Sequence, residues 1–160
     1  MTYKTSRRPE PLHIFISGGV GTGKSHLIRT IVQTATHLLS VGQGEDDIIV
    51  MVFAFTGVAA FNIEGHTIHS AFNLPANQSK TDDYIRLSSS MRSKLGNLCL
   101  LIIDDISMVG ADHLYTLHKR LSEIMTTDKP FGGISIIAVG DLSQLLPLDK
   151  NLFMTLHLTL

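Results

Sequence analysis

The amino-acid sequence predicts an α/β domain with a central parallel sheet flanked by helices, and three observations support this. Four short apolar runs are rich in Ile and Val and scarcely alternate with polar residues, as strands buried on both faces do. Apolar stripes at helical spacing separate the runs, and a glycine-rich segment follows the first run. Such alternation of strands and helices is typical of layered domains with right-handed crossovers. The runs are LHIFIS (12–17), IIVMVFAF (48–55), LCLLII (98–103) and ISIIAV (134–139).

Two helical stripes lie between these predicted strands, and we interpret both as core faces. The first follows Lys24 and extends to Leu39, and the second follows Gly110 and extends to Ile124. Two polar segments complete the pattern: 40–47 is predicted to be a surface turn, and 75–97 has room for a short helix around 84–95. The stripe residues are Leu27, Ile28, Ile31, Val32, Ala35, Leu38 and Leu39, then Leu114, Leu117, Leu121 and Ile124.

Composition limits the class of protein. The chain has 160 residues, 44% of them hydrophobic, which predicts one domain with a sizeable core. A formal net charge of −1 excludes a global positive field, so any nucleic-acid binding must be local. Cys99 is the only cysteine, which excludes an internal disulfide and favours a plain buried thiol. No apolar run approaches the ~18 residues of a membrane span, and no signal peptide is evident. We expect an intracellular protein without a membrane partner.

The predicted domain spans residues 12–150. Residues 1–11 are expected to form a flexible N-terminus, because chain ends are commonly loose. The tail NLFMTLHLTL (151–160) is apolar and ends abruptly. A domain rarely stops on an uncovered apolar strand. We therefore expect 151–160 to begin a continuation, with this chain the first piece of something longer.

The segment GGVGTGKS (18–25) fits the pattern G-x-x-x-x-G-K-[ST] of a phosphate-binding loop. Glycines let backbone N–H groups curl around polyphosphate oxygens without obstruction by side chains. The positive end of the following helix points at the same oxygens. Lys24 can reach the β- and γ-phosphates, and the Ser25 hydroxyl can bind Mg²⁺. The alternative is a glycine-rich turn with an incidental lysine, but a strand before and a helix after favour the phosphate site.

A second apolar strand ends in two acids, in LLIIDDIS (100–107). A carboxylate at the end of a strand next to a phosphate loop can hold Mg²⁺, and a second can orient or deprotonate the attacking water. We assign Asp104 to the metal and Asp105 to the water. The alternative, a pair of acids in a solvated turn, is weakened by the phosphate loop upstream.

Two further stretches reveal a resemblance to a known family. They are FTGVAAFNIEGHTIHSAF (55–72) and GGISIIAVGDLSQLLPL (132–148). Together with the glycine-rich loop and DDISMV (104–109), they closely resemble the petite-integration-frequency family of superfamily 1 DNA helicases, including relatives carried by Helitron transposons. The likeness extends from about Leu12 to Leu148. It implies a RecA-like domain that hydrolyses ATP and moves 5′ to 3′ on single-stranded DNA, with roles in DNA repair, recombination and telomere maintenance.

The resemblance assigns roles to individual residues. Lys24, Asp104, Asp105 and Gln144 match the catalytic positions, with Gln144 sensing the γ-phosphate from a motif that also contains Gly140 and Asp141. The phosphate-loop positions are matched by Gly21, Thr22, Gly23, Lys24 and Ser25. The DNA-side motifs are matched by Thr56, Gly57, Ala59, Ala60, Gly65, Thr67, His69 and Ser70.

Aromatic and histidine side chains near these motifs have simpler interpretations. Phe61 or Phe72 could stack on a base, but a core phenylalanine is favoured. His66 and His69 have too few partners nearby to indicate a metal. The remaining pair, His113 and His118, misses the i, i+4 spacing of a zinc helix and is interpreted as surface.

The sequence departs from the family pattern in four ways. Asp105 stands where the family has glutamate, and a misplacement of ~1 Å in a catalytic group can cost ~10²-fold in rate. Residues 1–17 contain no glutamine to select adenine, and Leu146 replaces a proline. The second motor domain, which supplies an arginine finger worth ~10³–10⁵ in rate, is missing. With Asp104 retained, the change at Asp105 should leave nucleotide binding intact and puts hydrolysis in question, while the missing glutamine puts selectivity for adenine in question.

We therefore predict the N-terminal RecA-like motor domain of an ATP-dependent 5′–3′ DNA helicase. Its expected cofactors are ATP and Mg²⁺ and its expected partner is single-stranded DNA. We expect a monomer, located in the nucleus or mitochondria if the source is eukaryotic. One alternative is a remnant of a mobile-element helicase that binds ATP and DNA without hydrolysis. Another is a small-molecule kinase, but segment 75–97 offers only Arg86 and Arg92 for an arginine-bearing lid.

Overall fold

The computed structural model describes residues 10–40, 44, 47–67, 70 and 89–141. Within them, five parallel strands form one sheet in the order β1-β5-β4-β2-β3. All the strands point the same way, so their carboxyl ends meet at one edge, where ligands bind in open α/β sheets. The strands are β1 (His13–Ser17), β2 (Val50–Ala54), β3 (His66–Thr67), β4 (Leu100–Asp104) and β5 (Ser135–Gly140).

Four helices and two 3₁₀ turns accompany the sheet in the described part of the chain. The 3₁₀ turns precede helix α4 and strand β5, at Ile106–Met108 and Pro130–Gly133 respectively. Helix α3 falls inside the segment predicted to hold a short helix. The helices are α1 (Lys24–Leu39), α2 (Gly57–Asn62), α3 (Ser89–Leu95) and α4 (Ala111–Met125).

The core lies on both faces of the inner strands β2, β4 and β5, which explains why their sequences do not alternate. Strand β1 lies at the edge of the sheet and exposes Ile14 and Phe15, so the prediction that it is buried on both faces was wrong. On β4, Leu101 and Ile103 belong to the cluster that packs against α4. Their neighbours Leu100 and Ile102 belong to the cluster that packs against α1 and α2. The predicted core face of α4 is confirmed, because its four stripe residues are all buried.

The stripe on α1 is buried only in part, so the prediction that all of it is core was wrong. Ile28 is buried, whereas Leu27, Leu38 and Leu39 are exposed. A helix of 16 residues is about 24 Å long, while a strand of five residues covers only about 17 Å. The last turn of α1, with Leu38 and Leu39, therefore extends past the strands that cover its inner residues, whereas Leu27 lies in the first turn and this length difference does not explain its exposure.

Strand β3 was not predicted, because two residues are too few for a periodic signal. It pairs with β2 through Phe53 with His66 and Ala54 with Thr67. A Cβ atom on Gly65, just before β3, would lie 2.7 Å from the Val52 carbonyl oxygen. Only glycine therefore lets the chain leave α2 and return beside β2.

Several sequence expectations lie at the margins of the described residues. Residues 1–9 and 142–160 are outside them, so the flexible N-terminus and the continuation at 151–160 stay predictions. No described helix combines the length and the apolar character needed to cross a bilayer. Cys99 is half-buried rather than fully buried, and its Sγ lies 3.3 Å from the Asn97 carbonyl oxygen.

Candidate functional site

The glycine-rich loop leaves the carboxyl end of β1 and leads directly into α1. The Gly18 N–H donates to the Gly140 carbonyl at 3.0 Å, so the loop begins as an extension of the β1–β5 pairing. Gly21 and Gly23 have φ of 76° and 87°, in the left-handed region that favours glycine. Gly23 is also the N-cap of α1. The loop therefore needs glycine at these two positions to turn its backbone towards the helix axis.

Lys24 is held over this loop by two hydrogen bonds. Its ammonium donates to the carbonyl oxygens of Gly18 and Gly19 at 2.6 and 2.8 Å. An ammonium has three N–H donors, so these contacts leave one more for an incoming anion. The first turn of α1 carries no acidic residue, so the positive end of its dipole acts without local opposition. The arrangement suits a polyphosphate.

The Thr22 side chain makes a further hydrogen bond within the loop, to the same Gly19 carbonyl that Lys24 contacts. Its hydroxyl donates to the Gly19 carbonyl at 2.8 Å. A Cβ atom on Gly18 would lie 2.7 Å from that hydroxyl oxygen, so glycine is required there to keep the loop compact. Ser25 follows Lys24 in the first turn of α1 and is exposed, which leaves its hydroxyl accessible to a ligand.

The two acids lie where β4 ends. Asp104 is its last residue and is only 8% exposed. Asp105 has a left-handed backbone, φ 50° and ψ 50°, a conformation that aspartate tolerates better than most residues because its short side chain bonds locally. The Asp105 N–H donates to Asp104 Oδ1 at 3.0 Å. The backbone turn thus holds the buried carboxylate and redirects the second acid.

The electrostatics of Asp104 connect it to the phosphate loop. Burial raises the pKa of Asp104 above its ordinary value of 3.8, and the negative charge of Asp105 raises it further. The Asp105 N–H and the positive charge of Lys24 act in the opposite direction. Lys24 and the acid pair therefore share one electrostatic environment. A carboxylate disfavoured by burial gains from a cation beside it.

The end of β5 brings the loop and the acid pair together. Gly140, whose carbonyl binds the loop, approaches the 3₁₀ turn so closely that a Cβ atom would lie 2.9 Å from Ile106 Cγ2. Next to it, Asp141 Oδ2 lies 3.9 Å from the position of a Cβ atom on Gly19. The ends of β1, β4 and β5 thus converge, as the motifs predicted. Gln144, predicted as the γ-phosphate sensor, and Leu146 lie outside the described residues.

The motif expected to follow DNA forms the start of α2. Thr56 is exposed and caps the helix, its hydroxyl accepting the Ala59 N–H at 3.2 Å. That bond uses the Ala59 N–H, and the Ala60 side chain is buried. Thr56 and Gly57 are therefore the accessible members of this motif, whereas Ala59 and Ala60 are placed to pack.

The second motif expected on the DNA side follows β3. The Thr67 hydroxyl donates to Ser70 Oγ at 2.9 Å and accepts the Ser70 N–H at 3.2 Å. Because Thr67 is opposite Ala54 in the sheet, it lies at the same carboxyl edge as Thr56. His69, between them in the motif, is outside the described residues.

Three interpretations of ring side chains were wrong. Phe61, expected in the core, is 84% exposed. His118, expected at the surface, is half-buried, and its Nδ1 accepts the Phe131 N–H at 2.9 Å. His113 is also half-buried and packs edge-on against Phe55, with ring centroids 5.5 Å apart. These contacts join distant parts of the chain, and no local pattern indicates them. Phe72 lies outside the described residues.

The fold and the site define a RecA-like α/β domain with a phosphate loop facing an acid pair. Comparison with known proteins shows to which family this domain belongs. A sequence profile described as PIF1-like helicase matches residues 3–153. The chain belongs to the PIF1-like helicase family.

Individual relatives agree with this assignment. The chain is 35% identical over 141 residues to the ATP-dependent DNA helicase PIF1 of Candida albicans, covering 86% of this chain and 15% of that protein. It is 34% identical over 140 residues to human PIF1, covering 86% of this chain and 20% of the relative. The crystal structure of Candida albicans Pif1 superposes with a TM-score of 0.71 at 34% identity, over 88% of this chain and 31% of that one. The chain thus spans under a quarter of these curated relatives.

Proposed function

We propose that this chain is the first motor domain of an ATP-dependent 5′–3′ DNA helicase, binding Mg-ATP and coupling its hydrolysis to movement along single-stranded DNA. The observation that carries this proposal is the convergence of Lys24 and Asp104 at the carboxyl edge of the sheet. A Bacteroides Pif1 at 33% identity and a TM-score of 0.67 has been crystallised with ADP-AlF3 and single-stranded DNA, over 94% of this chain and 33% of that one. The direction of movement follows from the family resemblance.

The loop would bind the triphosphate from several sides. The left-handed glycines Gly21 and Gly23 turn backbone N–H groups inwards, and the start of α1 adds its positive potential. The remaining N–H of Lys24 would donate to the β- and γ-phosphates. Since Lys24 is already hydrogen-bonded to the loop, little side-chain entropy is lost when the nucleotide binds.

The residues that would hold Mg²⁺ are Ser25 and Asp104. A hydroxyl and a carboxylate are hard oxygen ligands, and Mg²⁺ in nucleotide sites typically takes one or two carboxylates plus phosphates and waters. The raised pKa of Asp104 fits this role, because a cation replaces the solvation that burial removed. When bound, the ion neutralises charge on the transferring phosphoryl group.

Asp105 would orient or deprotonate the attacking water, and Gln144 would sense the γ-phosphate. Aspartate is one methylene shorter than the family's glutamate, and a base must come within about 2.6–3.2 Å of its proton. The left-handed backbone of Asp105 sets the direction of this short side chain. A second candidate function, ATP and DNA binding without hydrolysis, is favoured by the same residue.

The partners proposed for this domain are single-stranded DNA and a second RecA-like domain. The DNA would lie along the carboxyl edge at Thr56, Gly57 and Thr67, with the chain acting as a monomer; Ala59 would support the start of α2 from below, and His69 stays a prediction of the family resemblance. The second domain would close the other side of the nucleotide cleft and supply the arginine finger.

Calorimetric titration of Mg-ATP into the native chain and a Lys24→Ala variant tests the proposal. We expect saturable binding by the native chain, weakened at least about tenfold in the variant, because loss of a charge-assisted bond costs about 1.5–3 kcal/mol. A Lys129→Ala variant is a suitable control, since Lys129 is exposed and adjoins the 3₁₀ turn before β5, at the amino ends of the strands. Absence of binding by the native chain, or equal binding by the Lys24→Ala variant, would contradict a nucleotide site here.

An experiment on a longer protein distinguishes a domain that hydrolyses ATP from one that only binds it. In a version that contains both motor domains, Asp105→Glu should raise the rate of ATP hydrolysis if the short aspartate limits the reaction. An unchanged rate would show that Asp105 is not the limiting feature.

A further inference from the structure

The outward face of helix α2 carries two apolar side chains with no role in the core. Phe61 is 84% exposed and Val58 is 75% exposed. They are three residues apart, so they are neighbours on one face of the helix. The opposite face is buried, through Ala60 and Ile63. Burial against the sheet therefore explains one face of α2 and leaves the other unexplained.

Polar donors frame this exposed face. Thr56, the exposed N-cap, is at the start of α2, and its hydroxyl accepts the Ala59 N–H while its own proton can still be donated. At the other end, the exposed Arg29 donates from Nη2 to the Asn62 carbonyl. A guanidinium has five N–H donors, so this bond leaves others for a further acceptor.

We propose that Phe61 is a stacking platform for one base of a single-stranded nucleic acid whose phosphates are bound by Thr56 and Arg29. The inference rests on the proposed function and adds to it a base-contacting residue. Aromatic rings bind bases of any sequence through their flat faces, while basic and hydroxyl groups follow the backbone. The structural neighbour that contains single-stranded DNA shares this fold over 94% of the chain.

The size of the surface and the guanidinium donors of Arg29 favour this occupant over a protein. Arg29 presents these donors to phosphates at the carboxyl end of α2, where the exposed Glu64 partly offsets its positive charge. Stable protein interfaces need about 1,000 Å² or more of buried surface, whereas the apolar part of this face consists of two side chains. One base stacked on the Phe61 ring matches the size of this apolar surface.

The test measures binding of a fluorescein-labelled oligothymidine of about 12 nucleotides by anisotropy at low salt. The proteins are the native chain, Phe61→Leu, Phe61→Tyr and Val58→Ala. Phe61→Leu keeps apolar volume and removes the aromatic ring, so we expect about 5- to 160-fold weaker binding, the range for losing one stacked base. Phe61→Tyr keeps the ring and should bind within about threefold of native. Val58→Ala is the neighbouring control and should change affinity less than Phe61→Leu.

A strand of the same length without bases isolates stacking from contacts to the backbone. The native chain should prefer the oligothymidine to the abasic strand, and Phe61→Leu should lose most of this preference. If the native chain and Phe61→Leu bound oligothymidine with equal affinity, Phe61 would not be a stacking platform. The same conclusion would follow if both proteins preferred the oligothymidine to the abasic strand by the same factor. A Phe61-dependent self-association seen by light scattering, with unchanged DNA affinity, would instead assign the face to a second copy of the chain.

Two further measurements separate failure of this inference from failure of the proposed function. Because Phe61 is exposed, its variants should melt within about 1–2 °C of native, as is typical of surface changes. Calorimetry with Mg-ATP should show native affinity in Phe61→Leu. If ATP affinity is intact and DNA affinity does not change when Phe61 is replaced, only the proposed stacking role of Phe61 is wrong. If the native chain binds no ATP, the proposed function fails as well.

Discussion

Asp104, the proposed metal ligand, is a residue whose position in the site lowers the stability of the fold. Its carboxylate is buried and close to a second acid, and both effects raise its pKa in the folded chain. A folded-state pKa above the unfolded value means that the folded chain binds the proton more tightly. Asp104 therefore makes stability fall as the pH rises through the range above 3.8. Functional residues commonly carry such a penalty.

Because the raised pKa of Asp104 means that its ionised carboxylate destabilises the fold, we predict that Asp104→Asn stabilises the chain without ligand at neutral pH. The amide occupies a similar volume and carries no charge to desolvate, so we expect a melting temperature about 2–4 °C higher, the effect of about 1 kcal/mol in a domain of this size. The gain should vanish at pH values low enough to protonate Asp104. Thermal melts at several pH values, measured by circular dichroism, provide the test.

Asp128→Asn is the matched control for this prediction, because Asp128 is exposed. It should leave the melting temperature at neutral pH nearly unchanged. A fall in melting temperature for Asp104→Asn at neutral pH would show that the buried carboxylate stabilises the fold.

The elements around the site are joined by close backbone approach. Gly140 ends β5, binds the phosphate loop through its carbonyl and leaves room for Ile106 of the 3₁₀ turn. The same turn begins at Asp105. One glycine therefore fixes the distance between three elements that bring their polar groups together.

We predict that Gly140→Ala destabilises the chain by about 1–3 kcal/mol, the usual cost of overpacking a core. The added Cβ would lie 2.9 Å from Ile106 Cγ2 and displace the turn that carries Asp105. Mg-ATP affinity should fall as well, because the acid pair and the loop would both shift. Urea unfolding and calorimetry measure the two effects.

Gly57→Ala supplies the control, since a Cβ atom there has no neighbour within 4 Å. In the first turn of a helix this change should be neutral or stabilise by about 0.4–1 kcal/mol. If the two alanine variants were equally stable, the packing of β5 against the 3₁₀ turn would not limit the site.

At the scale of helices, strands and loops, the features that depend on neighbouring residues in the sequence could be predicted. The phosphate loop, the acid pair at the end of β4 and the buried stripe of α4 each follow from neighbouring residues. The three exposed residues of the α1 stripe and the two residues of β3 depend instead on what lies beside them. The hydrogen bond from the Phe131 N–H to His118 joins residues 13 apart. Periodicity identifies a face but not the surface that covers it, which is also why the exposure of Phe61 was missed.

At the scale of the whole molecule, nucleotide binding and ATP hydrolysis are separate properties, because they need different parts of a helicase. The residues proposed to bind nucleotide, Lys24 and Asp104, come from one sheet edge of this chain. An arginine finger from a second domain is worth ~10³–10⁵ in nucleotide hydrolysis. The chain covers 15% of Candida albicans PIF1 and 20% of human PIF1, so the rest of such a helicase has ample length to supply it.

We predict that residues 1–160, tested on their own, bind Mg-ATP but hydrolyse it at least about 10³-fold more slowly than a full-length relative, because the arginine finger proposed for the second domain would not be present in the assay. Mg-ATP at about 100 times its dissociation constant should still stabilise the chain by about 2.7 kcal/mol. Phosphate release with and without oligothymidine, beside thermal melts, measures both properties. Lys24→Ala gives the background, with neither stabilisation nor turnover. A rate within tenfold of the relative, abolished by Lys24→Ala, would show that this chain's own residues suffice for catalysis and that Asp105 serves as well as glutamate.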